Sequence, residues 1–105
     1  GIELVKEETL DAYFLTFDEA SKEVAFKLQN ELRVQGLSSD INYTNKNFKG
    51  QIKEAINHKA KYLIIIGEDE VKQGIVKLKD TKTEIQTNEN QNTLVEKLKE
   101  LIKHV

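Results

Sequence analysis

At Tyr62–Ile66 five residues with large apolar bodies stand in a row, YLIII. A strand sends successive side chains to opposite faces, so a run apolar at every position needs cover on both sides. That suits an interior strand with helices packed above and below the sheet. The run is far short of the roughly 20 residues that span a bilayer. A chain of 105 residues is expected to form one domain around one core.

The remaining segments supply partners for that strand. Asp11–Phe17, DAYFLTF, is rich in aromatic and β-favouring residues, apolar on both faces, and predicts a second central strand. Asp18 offers a helix N-cap with Glu19 in the first turn. Ala20, Val24, Ala25, Leu28 and Leu32 then recur at helical spacing, and Gly36 is placed to stop the helix with Leu37 folding back on it. Phe26 and Val34 fall off this stripe, either as ordinary surface groups or as a contact with another domain. Leu37–Tyr43 alternates, with Leu37, Ser39, Ile41 and Tyr43 on one face, and predicts a half-exposed strand near an edge. After a polar loop at Thr44–Asn47, the spacing of Phe48, Ile52, Ala55 and Ile56 predicts a second helix. Gly50 weakens that helix by about 1 kcal/mol relative to alanine.

Gly67 closes the apolar run and Gly74 opens another strand. Val76 and Leu78 face one way there; Ile75, Lys77 and Lys79 face the other. A short strand around Glu84–Thr87 and a final helix on Leu94, Val95, Leu98, Leu101, Ile102 and Val105 complete the order. Lys103 near the end of that helix suits its dipole. The β-α-β-α opening implies parallel strands joined by crossovers, and the closing hairpin an antiparallel addition. The predicted class is α/β: a three-layer α/β/α fold with a mixed four- or five-stranded sheet and three helices.

Composition narrows the function. There is no cysteine, which excludes disulfides and thiolate metal sites and fits a reducing compartment. Net charge is −2, which argues against a general non-specific DNA binder, because such affinity rests on phosphate neutralisation. It leaves room for a small patch that reads exposed RNA bases. The chain begins at Gly1, contains no methionine and shows no signal peptide, so a piece of a longer protein is expected, with residues 1–8 as the tail of a linker. His58 and His104 lack a second histidine at ligand spacing, and neither reads as a metal ligand. GxGxxG and GxxxxGK[ST] are both missing, and the first strand ends in TFDEAS, with acids where a nucleotide phosphate needs donors.

Glu68, Asp69 and Glu70 follow Gly67 directly. Consecutive carboxylates in a tight turn diverge and make a poor metal site. They form either a solvated turn or a base reader, since one carboxylate can accept the N1–H and N2–H₂ donors of an unpaired guanine. Lys77 and Lys79 are either a solvated face or contacts to phosphate or carbonyl oxygen beside that turn. Lys82 and Gln86 extend the same patch. Phosphate contacts would position a ligand and base-edge contacts would specify it.

Taken together, VAFKLQNELRVQGL, KGQIKEA, YLIIIGEDE, GIVKLKD and the T-x-x-Q ending at Gln86 resemble the C-terminal anticodon-binding domain of class II aminoacyl-tRNA synthetases, and within it that of histidyl-tRNA synthetases. The resemblance runs from about Glu3 to Val105, and the ordered strand, G-E-x-E, G-x-V-x-L-K-D and T-x-x-Q carry its specificity. It implies an anticodon-binding domain over residues 9–105 that grips the anticodon stem-loop of histidine tRNA. The fragment itself would not be catalytic. A separate catalytic domain, using ATP and magnesium in a homodimeric, cytoplasmic parent, would charge the tRNA. No DNA or membrane partner is implied. By resemblance Glu70 is the first candidate base reader and Lys79 stands where relatives place a basic anticodon contact; Glu68, Lys77, Thr81 and Gln86 are further candidates. Two departures stand out: Thr83–Gln86 lacks the glycine that often precedes the Glu–Gln pair, and Asn45–Asn47 lacks the arginine expected there. The alternative is a non-catalytic interaction or regulatory module of a synthetase-like accessory protein, which would keep the core stripes without needing Glu70 or Lys79.

Overall fold

β1 (Ala12–Thr16) and β3 (Tyr62–Ile66) run parallel side by side at the centre of a five-stranded sheet, and every residue of both is buried. The computed structural model describes residues 10–41 and 48–103. The predicted linker at 1–8, Tyr43, the Thr44–Asn47 loop, His104 and Val105 lie outside them.

The elements follow as α1 (Glu19–Val34), β2 (Ser39–Ile41), α2 (Phe48–Asn57), α3 (Glu68–Gln73), β4 (Ile75–Asp80), β5 (Gln86–Asn90) and α4 (Leu94–Lys103). The strand order is β2-β1-β3-β4-β5, with β2, β1 and β3 parallel and β4 and β5 added antiparallel. Register fixes the two faces. Phe14, Ile64, Leu78 and Thr87 stand in one cross-sheet row, and Leu15, Ile65, Lys77 and Asn88 in the next, facing the other way.

The first face packs Ala12, Phe14, Ile64, Ile66, Val76 and Leu78 against Ala25, Leu28 and Leu32 of α1 and Leu94 and Leu98 of α4, with Val71 of α3 at the margin. The second face packs Tyr13, Leu15, Leu63 and Ile65 against Ala55 and Ile52 of α2. Helices therefore cover both sides of the central strands, giving the expected three layers.

The caps of α1 match its sequence. The Asp18 carboxylate accepts the Ser21 N–H at 2.8 Å, and the Ser21 hydroxyl oxygen accepts the Asp18 N–H at 3.0 Å. Hydrogen bonding to the charged carboxylate from Ser21, its backbone N–H first and its side chain second, holds the Asp18 pKa below its ordinary value. At the other end Gly36 adopts φ +80°. The Leu37 N–H donates to the Leu32 carbonyl and the Gly36 N–H to the Arg33 carbonyl, the paired bonds of a Schellman stop.

Several expectations are corrected. The acidic stretch after Gly67 is a helix, α3, which makes four helices rather than three. The last strand begins at Gln86, where the prediction started it two residues earlier. β2 is shorter than its alternating pattern, with Leu37 and Ser38 outside it. Ile56 belongs to the helical spacing of α2 but is 63% exposed, and Ala20 of α1 is also exposed. Phe26 and Val34 are exposed as their off-stripe positions require.

Leu98 is fully buried. Leu98→Ala should cost about 2–5 kcal/mol in urea unfolding if α4 is an integral wall of the core. Asp18→Ala should lower the urea midpoint at pH 7. The folded pKa of Asp18 lies below the unfolded one, so its contribution is complete above the unfolded value and fades as pH falls through the folded one. The gap between wild type and Asp18→Ala should therefore close below pH 3.8.

Candidate functional site

The two faces of the sheet differ in what lies beyond β3. On the face that carries α2, Tyr13 and Leu63 continue across the sheet into Lys79 and Gln86, and Leu15 and Ile65 into Lys77 and Asn88. The apolar half of each row is buried under α2. The polar half is half-buried on β4 and exposed on β5. The hairpin thus carries a lysine- and amide-bearing surface in the same plane as the second core.

α3 closes one end of this surface. Gly67 is its N-cap and Gly74, at φ +70°, its left-handed stop. Glu70 stands at the third helical position, and its carboxylate reaches back so that Oε1 accepts the Gly67 N–H at 2.7 Å. Three acids in the first turn favour the positive helix end. A Cβ on Gly67 would lie 2.7 Å from that Glu70 oxygen, so a bare backbone is what lets the carboxylate come so close.

Glu70 is 8% exposed, a degree of burial that an ionised carboxylate sustains only with partners. Oε1 has the Gly67 amide. Oε2 faces Lys77 Nζ at 3.8 Å. The other acids of the run behave differently. Glu68 pairs one turn along the helix with Lys72 at 3.2 Å, both 70% exposed, an ion pair of little energetic weight. Asp69 is exposed. Of the three, only Glu70 is fixed by the fold.

The structure brings some predicted residues together and separates others. Glu70 and Lys77 form one pair. Lys79 stands two positions along the same face of β4, about 7 Å of strand from Lys77, with Gln86 directly across on β5. Thr81 lies at the opposite end of β4. Its hydroxyl lies 2.9 Å from the Ala60 and Lys61 carbonyls, and its N–H donates to Lys61. It ties the hairpin to the entry of β3. Lys82 is exposed beyond it.

Sequence reasoning missed Gln51. This buried side chain donates to the Thr16 carbonyl at 2.8 Å and accepts the Thr16 N–H at 2.9 Å, fastening α2 to the last residue of β1. A glutamine on the buried side of an amphipathic helix was the available signal. On the first face, burial and the nearby Asp80 carboxylate push the Tyr62 hydroxyl pKa up. Among the described residues no group of three or more His, Cys, Asp or Glu side chains could hold a metal ion, and no helix is long and apolar enough to cross a membrane.

A family model described as an anticodon binding domain matches residues 5–102. The histidine–tRNA ligase of Acholeplasma laidlawii is 46% identical over 102 residues, 97% of this chain and 24% of that protein. That of Bacillus subtilis is 41% identical over 81 residues, 77% of this chain and 19% of that protein. The chain spans about a quarter or less of the length of these curated relatives. Among solved structures, apo S. aureus histidyl-tRNA synthetase superposes with a TM-score of 0.85 at 35% identity, over 93% of this chain and 25% of that one. The RNA binding domain of threonyl-tRNA synthetase from Cryptosporidium parvum shares the fold, with a TM-score of 0.77 at 24% identity, over 87% of this chain and 23% of that one.

Gly67→Ala should destabilise the chain by about 0.5–2 kcal/mol, the worth of a helix cap, because the new methyl displaces the Glu70 carboxylate from the Gly67 amide. A Gly67→Ala/Glu70→Ala double variant should lose less than the sum of the two single losses, since both remove the same cap. Urea melts of the four proteins measure this coupling.

Proposed function

The chain belongs to the anticodon binding domain family, and from that premise we propose that it grips the anticodon loop of histidine tRNA for a catalytic domain elsewhere in a histidine–tRNA ligase. The observation that carries the reading is the Glu70–Lys77 pair at the margin of the polar face. An unpaired guanine offers two donors, N1–H and N2–H₂, beside the acceptor O6. A carboxylate with one oxygen held by Gly67 and the other turned toward the face can accept from the donors. The Lys77 ammonium, 3.8 Å from that second oxygen, can donate to O6. The pair therefore has the complementary order for a guanine edge, and the reverse order for adenine.

Lys79 and Gln86 extend this reading along β4 and β5. Lys79 is a point charge suited to a phosphate, and Gln86 can donate or accept at a base edge. Glu68, on the exposed outside of α3, would add only long-range charge. Thr81 would act by fixing the hairpin. The domain contributes position and discrimination. ATP and magnesium, with which the parent would charge the tRNA, are assigned to its catalytic part. Dimerisation of that parent and a cytoplasmic location complete the proposal.

A titration of this chain with a histidine-tRNA anticodon stem-loop, followed by NMR, should shift the resonances of Glu68–Lys79. Glu70→Ala should reduce discrimination against loops whose anticodon guanines are replaced by adenine by about 1–3 kcal/mol, by analogy with base-edge contacts in duplexes. Lys79→Ala should weaken all loops alike and flatten the salt dependence. Equal binding of the guanine and adenine loops by wild type would overturn the guanine reading. Failure to bind either loop would favour the accessory-module alternative.

A further inference from the structure

We propose that the ring of Phe17 is a stacking platform for an unpaired RNA base bound beside Glu70, a role that rests on the RNA-binding reading above. Phe17 follows β1 directly, at the carboxyl ends of the parallel strands, and is 51% exposed. An exposed phenylalanine by itself is ordinary. What sets this one apart is how it is held and what it faces.

The backbone under the ring is fixed on both sides. The Phe17 N–H donates to the Ser21 hydroxyl oxygen at 3.0 Å, and Ser21 is fully buried. The preceding residue, Thr16, has its N–H and carbonyl closed by the buried Gln51 amide. The following residue is the α1 cap, Asp18. An aromatic side chain has only two torsions to order, so with its backbone fixed it presents a preorganised surface.

The ring also sits at the proposed site. Its Cδ2 is 3.7 Å from where a Cβ on Gly67 would stand, and Glu70 Oε1 is 2.7 Å from the same point. Ring and carboxylate thus converge on one stretch of bare backbone. A base recognised through its edge still has an apolar face to cover, and single-stranded bases find that cover on aromatic rings. Phe17 supplies a face where Glu70 supplies an edge.

The test uses this chain with its phenylalanine rings labelled, titrated with the anticodon stem-loop. Stacking should move the Phe17 ring protons upfield, and a single abasic nucleotide at one loop position should abolish that shift. Phe17→Leu, which keeps an apolar body without a π face, should bind about tenfold more weakly, whereas Phe17→Trp should bind at least as well as wild type. A packing role predicts the opposite ranking, with leucine tolerated and tryptophan harmful. If the RNA shifts Lys77 and Lys79 resonances while the Phe17 ring stays still, the platform is overturned and RNA binding stands. If nothing shifts, both fall. Should a variant fail to fold, the wild-type ring shift and its abasic control decide the matter.

Discussion

Everything in this fold hangs on β3. It pairs in parallel with β1 and antiparallel with β4, so it is the hinge between a crossover-built half and a hairpin-built half. Its five residues are buried on both faces, which forces helices onto each side. Yet α1, α3 and α4 crowd one face while α2 covers the other only over β1 and β3. The polar surface on β4 and β5 follows from that asymmetry. A second helix on that side would have required apolar residues where Lys77, Lys79, Gln86 and Asn88 stand.

Glu70 shows how one residue can serve structure and recognition together. Its cap on Gly67 satisfies an orphan amide of α3, and the same bond fixes the carboxylate in space. A flexible surface glutamate would lose side-chain entropy on meeting a base. Here that cost is met during folding, so less of the binding energy goes to ordering. Lys77 is coupled to the arrangement. It neutralises a carboxylate that is nearly out of water, and it lies on a strand whose register is set by β3 rather than by a loop.

Much of this was legible in the residues. Strict alternation at Gly74–Lys79 placed the two lysines on one face, and an all-apolar YLIII placed its neighbour in the interior. Asp18 as N-cap with Glu19 behind it, and the stop at Gly36–Leu37, gave both ends of α1. What was not legible had physical reasons. α3 has six residues and one apolar side chain, Val71, so it carries no periodicity to detect. Its signals were end effects: acids in the first turn, a glutamate at the third position, a left-handed glycine after the last. β5 is polar at every position because its outward face meets solvent and its inward face only margins the core, so alternation could not locate it. Ile56 misled because helical spacing reports a possible face, and α2 buries a narrower one. Gln51 was invisible because its partner, the Thr16 backbone, lies 35 residues away on another element, and no local pattern marks such a pairing.

A net charge of −2 sits uneasily with an RNA partner until charge is considered by location. Phosphate neutralisation is a local matter, damped over about 8–10 Å at physiological salt. On the polar face itself, Lys79 is joined in register by Lys77 and by the amides of Gln86 and Asn88. Glu68 and Asp69 point outward from α3, and Glu70 is already balanced by Lys77. A loop approaching along β4 and β5 therefore meets a neutral-to-positive strip with one carboxylate set into it. Such a surface is weakly attractive to RNA in general. A base that can donate to Glu70 gains a hydrogen bond there, whereas one presenting an acceptor meets negative charge. The acidity that disfavours indiscriminate binding is thus the same chemistry that would make the bound base matter.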